Sequence, residues 1–181
     1  CSGSGTIDCA NDQCPGHSGG RRSQIVQTLD PGSYYVVVDG AGPAEAGDFT
    51  LLFEHAPCVT AGGFAADGYL DGSTVGMPRV TSGSCGGDLA PEAMYYIALC
   101  APRRVTATTC DSGTAFGTTL YFLAGGCDPD DELACSTGDL SCPWGTNRAT
   151  VTADLPKGLS FLVVDGAGVS QGRHRVSLSG M

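Results

Sequence analysis

Leu29-Asp-Pro-Gly-Ser-Tyr-Tyr-Val-Val-Val-Asp-Gly-Ala-Gly42 is the stretch that decides the fold, because the chain contains it twice. It returns as Leu155-Pro-Lys-Gly-Leu-Ser-Phe-Leu-Val-Val-Asp-Gly-Ala-Gly168, at an offset of 126 residues. The same offset relates Cys1 to Cys127 and Cys9 to Cys135. Residues 127–181 therefore restate residues 1–55.

This repeat sets the domain organisation, because a unit of this length is the size of a single globular domain. We predict a complete domain over residues 58–181, with a front half (58–126) and a back half (127–181). Residues 1–55 are then the back half of a second, incomplete domain. We expect a protein partner, or a neighbouring subunit as in a homopolymer, to complete residues 1–55. Without it, Tyr35, Val37 and Phe49 would be an exposed apolar patch.

Composition and patterning indicate short strands rather than helices, since the chain has 28 glycines and 10 prolines. Alternation places Tyr95, Ile97 and Leu99 on one face of a strand, whereas Phe161–Val164 is apolar throughout, as in a strand covered on both faces. The fold class predicted is all-β, an antiparallel, jelly-roll-like β-sandwich stapled by disulfides. Strands are expected at 21–29, 33–39, 48–54, 74–81, 93–100, 104–110, 118–123, 148–154, 159–165 and 173–179.

The charge balance and hydropathy exclude two classes of partner. The formal net charge is −10 and Lys157 is the single lysine, which argues against nucleic acid because phosphates require a basic surface. No apolar run approaches the roughly 18–20 residues that a membrane-spanning helix needs. We expect neither a nucleic-acid partner nor a membrane span.

The ten cysteines, none of them in a Cys-x-x-Cys pair, predict disulfides and therefore an extracellular or cell-surface location. Residues 1–55 hold three and residues 58–181 hold seven. Because both numbers are odd, either one bridge joins the two parts or each part keeps an unpaired or intermolecular cysteine. The recurring spacing predicts disulfides between Cys127 and Cys135 and, equivalently, between Cys1 and Cys9.

Acidic residues cluster beside two of these cysteines and make a candidate calcium site, because Ca²⁺ prefers oxygen ligands. The spacing matches no EF-hand, so a solvated acidic loop is the competing interpretation, and no other cofactor is expected. The candidate ligands are Asp8, Asn11, Asp12, Asp128, Asp130, Asp131 and Glu132.

One motif superficially suggests catalysis, since Gly16-His-Ser-Gly-Gly20 fits Gly-x-Ser-x-Gly. A nucleophile elbow requires a strand before the serine and a helix after it. Ser18 instead follows Cys14 in a loop, and the aligned loop at Cys142 has no serine. We predict that the chain is not an enzyme.

The repeated motif resembles the bacterial pre-peptidase C-terminal domain, in a cysteine-bearing variant found in tandem in secreted and surface proteins. The resemblance rests on Leu-x-x-Gly-x-x-Tyr/Phe-x-Val-Val-Asp-Gly at 29–40 and 155–166, with further motifs around Cys85, Cys110 and Cys135. It implies a jelly-roll-like sandwich with an accessory role beside other domains.

These observations favour a non-catalytic extracellular structural or adhesive module, as a piece of a longer tandem-repeat secreted or surface protein. One alternative is a filament or appendage subunit whose incomplete sandwich is finished by strands of a neighbouring chain. Another is an accessory domain of a secreted hydrolase.

Overall fold

The computed structural model describes residues 5–10, 14–15, 21–56, 58–86 and 89–181. The chain divides into two compact units, Cys1–Phe53 and Glu54–Met181. In the described part of the first unit, a short antiparallel ladder joins β1 (Cys14–Pro15) to β2 (Arg21–Arg22). That residues 1–55 are half of a domain stays a prediction.

The second unit is a β-sandwich, as the sequence predicts. One sheet has five strands in the order β3-β5-β10-β7-β8, and the other has four in the order β4-β11-β6-β9. All neighbouring strands are antiparallel except the short parallel pair β3 and β5. The strands are β3 Gly62–Phe64, β4 Gly68–Ser73, β5 Ala93–Leu99, β6 Arg103–Thr108, β7 Thr118–Ala124, β8 Glu132–Thr137, β9 Thr150–Leu155, β10 Gly158–Gly166 and β11 Arg173–Ser179.

Both faces of the five-stranded sheet are buried. Its inner face packs on the four-stranded sheet through a cluster that includes Tyr95, Ile97 and Leu99, which confirms the predicted alternation. Its outer face carries a second buried cluster, in which Tyr121 and Phe161 take part. The continuous apolar run in β10 follows from this, because its side chains have protein on both sides.

In the second unit, three strands were not predicted from the sequence, and the strand predicted at 74–81 is absent. β3 and β4 are rich in glycine, and β8 begins with a charged residue. None of the three has the apolar alternation that indicates a strand. Residues 74–81 form no strand, because Gly76 has a φ of 76° and Pro78 has no amide hydrogen for a ladder. Met77 donates to the Thr74 carbonyl in a turn there instead.

The strands of the back half take their hydrogen-bond partners from the front half. In the described residues 127–181, each strand is hydrogen-bonded only to strands of the front half: β10 lies between β5 and β7, and β11 between β4 and β6. β9 pairs with β6, and β8 pairs with β7. No ladder joins two of these back-half strands, so the back half obtains all of its sheet hydrogen bonds from residues 58–126.

Candidate functional site

The candidate site is the exposed segment, residues 25–53 of the first unit. All of residues 23–56 are described, and they contain no strand. Tyr35 is 93% exposed and Val37 is 82% exposed, and Phe49 is exposed as well, as expected for a segment without partner strands. Eight more large apolar side chains of this segment are exposed: Ile25, Leu29, Tyr34, Val36, Val38, Leu51, Leu52 and Phe53.

The same residue types are buried in the second copy. Tyr35 corresponds to Phe161 and Val37 to Val163, which are 2% and 0% exposed. In β10, Val163 lies opposite Met94 of β5 on one side and Tyr121 of β7 on the other. In the second copy the segment therefore has a strand on each side, whereas residues 23–56 contain no strand.

The strands predicted at 21–29, 33–39 and 48–54 are wrong for this chain, apart from the two residues of β2. The physical reason is the pairing described above. A back-half strand forms its ladders with front-half strands, and the front half of this chain is used by residues 127–181. A strand with no neighbour leaves its N–H and C=O groups to water, and β-structure then has no advantage.

The turn after the repeated motif survives in both copies. The Gly40 amide donates to Asp39 Oδ1 at 2.8 Å, and the Gly166 amide donates to Asp165 Oδ1 at 2.6 Å. Neither glycine has a positive φ. Glycine is needed for a different reason: a Cβ would collide with the carbonyl oxygen of Glu45 at residue 40, and with that of Ser170 at residue 166.

Three disulfides of the second unit join its two halves. They are Cys58–Cys127, Cys85–Cys135 and Cys110–Cys142, and each links a front-half residue to a back-half residue. The front half has four cysteines and the back half has three, and all three of the back half are bonded to the front half.

The predicted disulfide between Cys127 and Cys135 is wrong, because each has a different partner. Cys135 lies on β8 opposite Tyr121, and β7 continues for about 10 Å beyond Tyr121 before the connection that contains Cys127. The hairpin therefore carries the two cysteines apart. Cys1 lies outside the described residues, so its predicted pairing with Cys9 stays a prediction. Cys9, Cys14 and Cys100 are also disulfide-bonded.

The acidic residues around Cys127 have local structural roles. Asp128 Oδ1 accepts from the Asp130 amide at the start of a single 3-10 turn, Pro129–Asp131. Glu132 accepts from both the amide and the hydroxyl of Ser84. Among the described residues, no group of three or more acidic, histidine or cysteine side chains is placed to hold a metal.

The remaining calcium candidates lie in the first unit. Asp8 Oδ1 accepts from the Cys9 amide at 2.7 Å. Asn11 and Asp12 lie outside the described residues, as does Ser18. Calcium binding by the candidate ligands stays a prediction.

A histidine that the sequence did not single out as functional is buried in the sandwich. His174 Nε2 lies 2.7 Å from the Tyr95 hydroxyl, and burial lowers the pKa of His174 to about 4 while it raises that of Tyr95 to about 12. Gly72 leaves the space for this pair, since a Cβ there would collide with the Tyr95 hydroxyl. Near neutral pH His174 is therefore an uncharged core residue.

His174 also lines an open pocket of about 430 Å³ at the edge of the four-stranded sheet, beside Asp71 and Arg173. Two hydrogen bonds from Arg175 hold the pKa of Asp71 below its usual value. The nearest carboxylate is thus engaged with arginine and is not available to activate the histidine.

Glu92 is a second buried ionisable residue. Its Oε1 accepts from the amides of Val80 and Thr81, which ties down the loop that follows β4. Burial raises the pKa of Glu92, although these two amides act in the opposite direction. These two backbone hydrogen bonds and the burial of the side chain indicate that Glu92 holds the loop in place.

No family model matches the chain, and no curated protein matches it. One similar solved structure is the 1.0 Å crystal structure of the pre-peptidase C-terminal domain of collagenase from Bacillus anthracis. It is 16% identical with a TM-score of 0.42, and the match covers 72% of this chain and 100% of that one. Values this low support no argument about function, and membership of the family stays a prediction.

Proposed function

We propose that the chain is a non-catalytic extracellular structural or adhesive module whose exposed segment receives front-half strands from a polypeptide partner. The observation that carries the proposal is the pairing of strands in the second unit. Every back-half strand described there is bonded only to front-half strands. Residues 25–53 repeat the sequence of β9 to β11 without such neighbours.

The apolar side chains give the driving force for this docking. Burial of a large apolar side chain is worth roughly 1.5–3 kcal/mol, and the exposed segment has eleven of them. An apolar surface of this extent on a soluble protein is typical of an interaction site. Main-chain hydrogen bonds to added strands would supply the ladders that the segment lacks.

An extracellular setting agrees with the covalent structure, since disulfides persist in oxidising compartments. In the part of the chain that the structure describes, no helix has the length and apolar character to cross a membrane. Within this proposal the partner strands belong to a longer tandem-repeat polypeptide. The filament alternative places them on a neighbouring subunit, and the mass of the native assembly distinguishes the two.

The test supplies the missing strands from the chain itself. In the extended chain, a copy of residues 54–126 is joined directly before Cys1, which reproduces the junction between Gly126 and Cys127. Hydrogen exchange is measured on peptides covering 33–39 and 48–53. We expect exchange at least about 10²-fold slower than in the original chain, because these segments gain ladders on both sides.

The matched control has the same length but cannot form the front half. It has Ile97→Asp and Phe122→Asp in the added copy only, because both side chains are fully buried. Residues 33–39 should exchange as fast in this control as in the original chain. Equal exchange in the extended chain and the control, with residues 159–165 protected in both, would refute the proposed docking.

A further inference from the structure

We propose that the partner is bound covalently, through disulfides from Cys1, Cys9 and Cys14 to three front-half cysteines of the partner. This inference rests on the proposed function and specifies the partner's chemistry. The partner segment has cysteines at positions equivalent to Cys58, Cys85 and Cys110, spaced 27 and 25 residues apart. In the completed domain these pair with Cys1, Cys9 and Cys14 respectively.

The first step is the correspondence between the back-half cysteines of the two copies. Cys1 and Cys9 match Cys127 and Cys135 at the offset of 126 that relates the repeated motif. Cys14 matches Cys142 because both are followed by proline. The loop between the second and third cysteine is shorter by two residues in the first copy, and the segment after the third cysteine is longer by two. The flanking strands therefore return to register.

The second step is the use of those cysteines in the complete domain. Cys127, Cys135 and Cys142 all bond to the front half. Cys135 lies within β8 and directs its sulfur toward the covered outer face, where Gly83 leaves space for it. Cys142 joins the connection after β8 to Cys110, which follows β6. The three disulfides thus join the front half to the back half at three different positions.

Cys9 and the apolar residues of the exposed segment follow the same register of the repeat. The same register that brings Val37 to the position of Val163 brings Cys9 to the position of Cys135. In the second copy, Val163 and Cys135 both belong to the outer-face cluster. A front half that docks on the exposed segment therefore presents its second cysteine to Cys9.

Two chemical routes form these bonds. Where both cysteines are thiols, each bond forms by transfer of two electrons and two protons to a disulfide oxidant, which is reduced to two thiols. Cys9 and Cys14 are disulfide-bonded in the chain by itself. There a partner thiolate attacks the Cys9 or Cys14 sulfur and displaces its present partner as a thiolate, with no net oxidation.

The experiment maps disulfides in the extended chain after oxidative refolding with glutathione. The added copy has Val59→Ile, Leu89→Val and Ser112→Thr, all at exposed positions, so that its cysteine peptides differ in mass from the native ones. We expect peptides of the added copy to be linked to Cys1, Cys9 and Cys14, in that order along the chain. The native pairs Cys58–Cys127, Cys85–Cys135 and Cys110–Cys142 should be retained and serve as the internal standard.

Failure of this inference differs from failure of the proposed function. If residues 33–39 become protected but the added cysteines are not linked to Cys1, Cys9 and Cys14, docking stands and the covalent link is wrong. If residues 33–39 stay unprotected, both are wrong. A second variant has serine at the three cysteines of the added copy. In this variant, residues 33–39 should lose their protection at a lower denaturant concentration than in the extended chain. Loss at the same concentration in both would also overturn the covalent link.

Discussion

At the scale of single residues, Val37 and Val163 provide a natural comparison. They occupy the same position of a repeated motif, yet Val37 is exposed and Val163 is fully buried between two strands. Their side chains are identical, so any difference in their contribution to stability arises from their neighbours.

We predict that Val163→Ala lowers the free energy of unfolding by about 2 kcal/mol, because it removes two buried methyl groups and leaves a cavity. Val37→Ala should change it by less than about 0.5 kcal/mol, as is usual for an exposed position. Urea unfolding of the two variants beside the parent measures both values. Similar losses for the two substitutions would mean that Val37 is buried in this chain.

The buried pair of His174 and Tyr95 gives a pH dependence with a definite sign. The pKa of His174 is about 4 in the folded protein and 6.5 in the unfolded chain, so folding favours the neutral ring. As the pH falls from about 6.5 to about 4, protons bind the unfolded chain first and stability is lost. The loss amounts to about 3 kcal/mol at its limit.

We therefore expect the double variant Tyr95→Phe/His174→Phe to lose less stability than the parent between pH 7 and pH 4.5. Both residues are changed together, because Phe at position 174 alone would leave the Tyr95 hydroxyl without its hydrogen-bond partner. Gly47-Asp48-Phe49 of the first copy aligns with Gly172-Arg173-His174, so phenylalanine is also the residue at this position there. Chemical unfolding at the two pH values tests the expectation. The same pH dependence in parent and double variant would contradict the assignment.

At the scale of elements, the strands with strong apolar patterns could be predicted from the sequence. β5, β6, β7 and β9 to β11 lie within a few residues of their predicted positions, because each buries one or both faces. The edge strands β3 and β4 could not, since glycine and polar residues there have no periodic pattern. Their conformation is imposed by the neighbouring β5 and β11.

The pairing of the cysteines could not be predicted from their local spacing either. The sequence predicted a short loop closed by Cys127 and Cys135, whereas each of the three bonds described in the second unit joins distant segments. Which cysteines meet depends on how the sheets assemble, and this information is absent from local spacing. The exposure of Tyr35, Val37 and Phe49 could be predicted, because the offset shows that their motif occurs twice in the chain while residues 58–126 occur once.

A prediction for the elements follows from the length of the closed loops. Cys58–Cys127 spans 69 residues, so its removal by Cys58→Ser/Cys127→Ser should lower the free energy of unfolding by about 4 kcal/mol in the chain-entropy model. Urea unfolding under non-reducing conditions, followed by the near-ultraviolet signal of the aromatic core, measures the change. A loss below about 1 kcal/mol would show that the bond is not a constraint on the unfolded chain.

At the scale of the whole molecule, one motif has two outcomes in one polypeptide. Residues 159–165 form a buried central strand, and residues 33–39 form none although their sequence is nearly the same. We attribute this difference to strand pairing, because the strands of residues 58–126 are paired with those of residues 127–181. The second unit is a sandwich, whereas the apolar residues of the first copy are exposed.

Hydrogen exchange of the unmodified chain tests whether the two copies of the motif differ in structure, because both are measured in one sample. We expect amides in residues 159–165 to exchange at least about 10³-fold more slowly than in an unstructured peptide, and those in residues 33–39 to exchange within about tenfold of it. Strong protection of both segments in a monomeric chain would contradict this expectation, since the first copy would then form its strands without a front half.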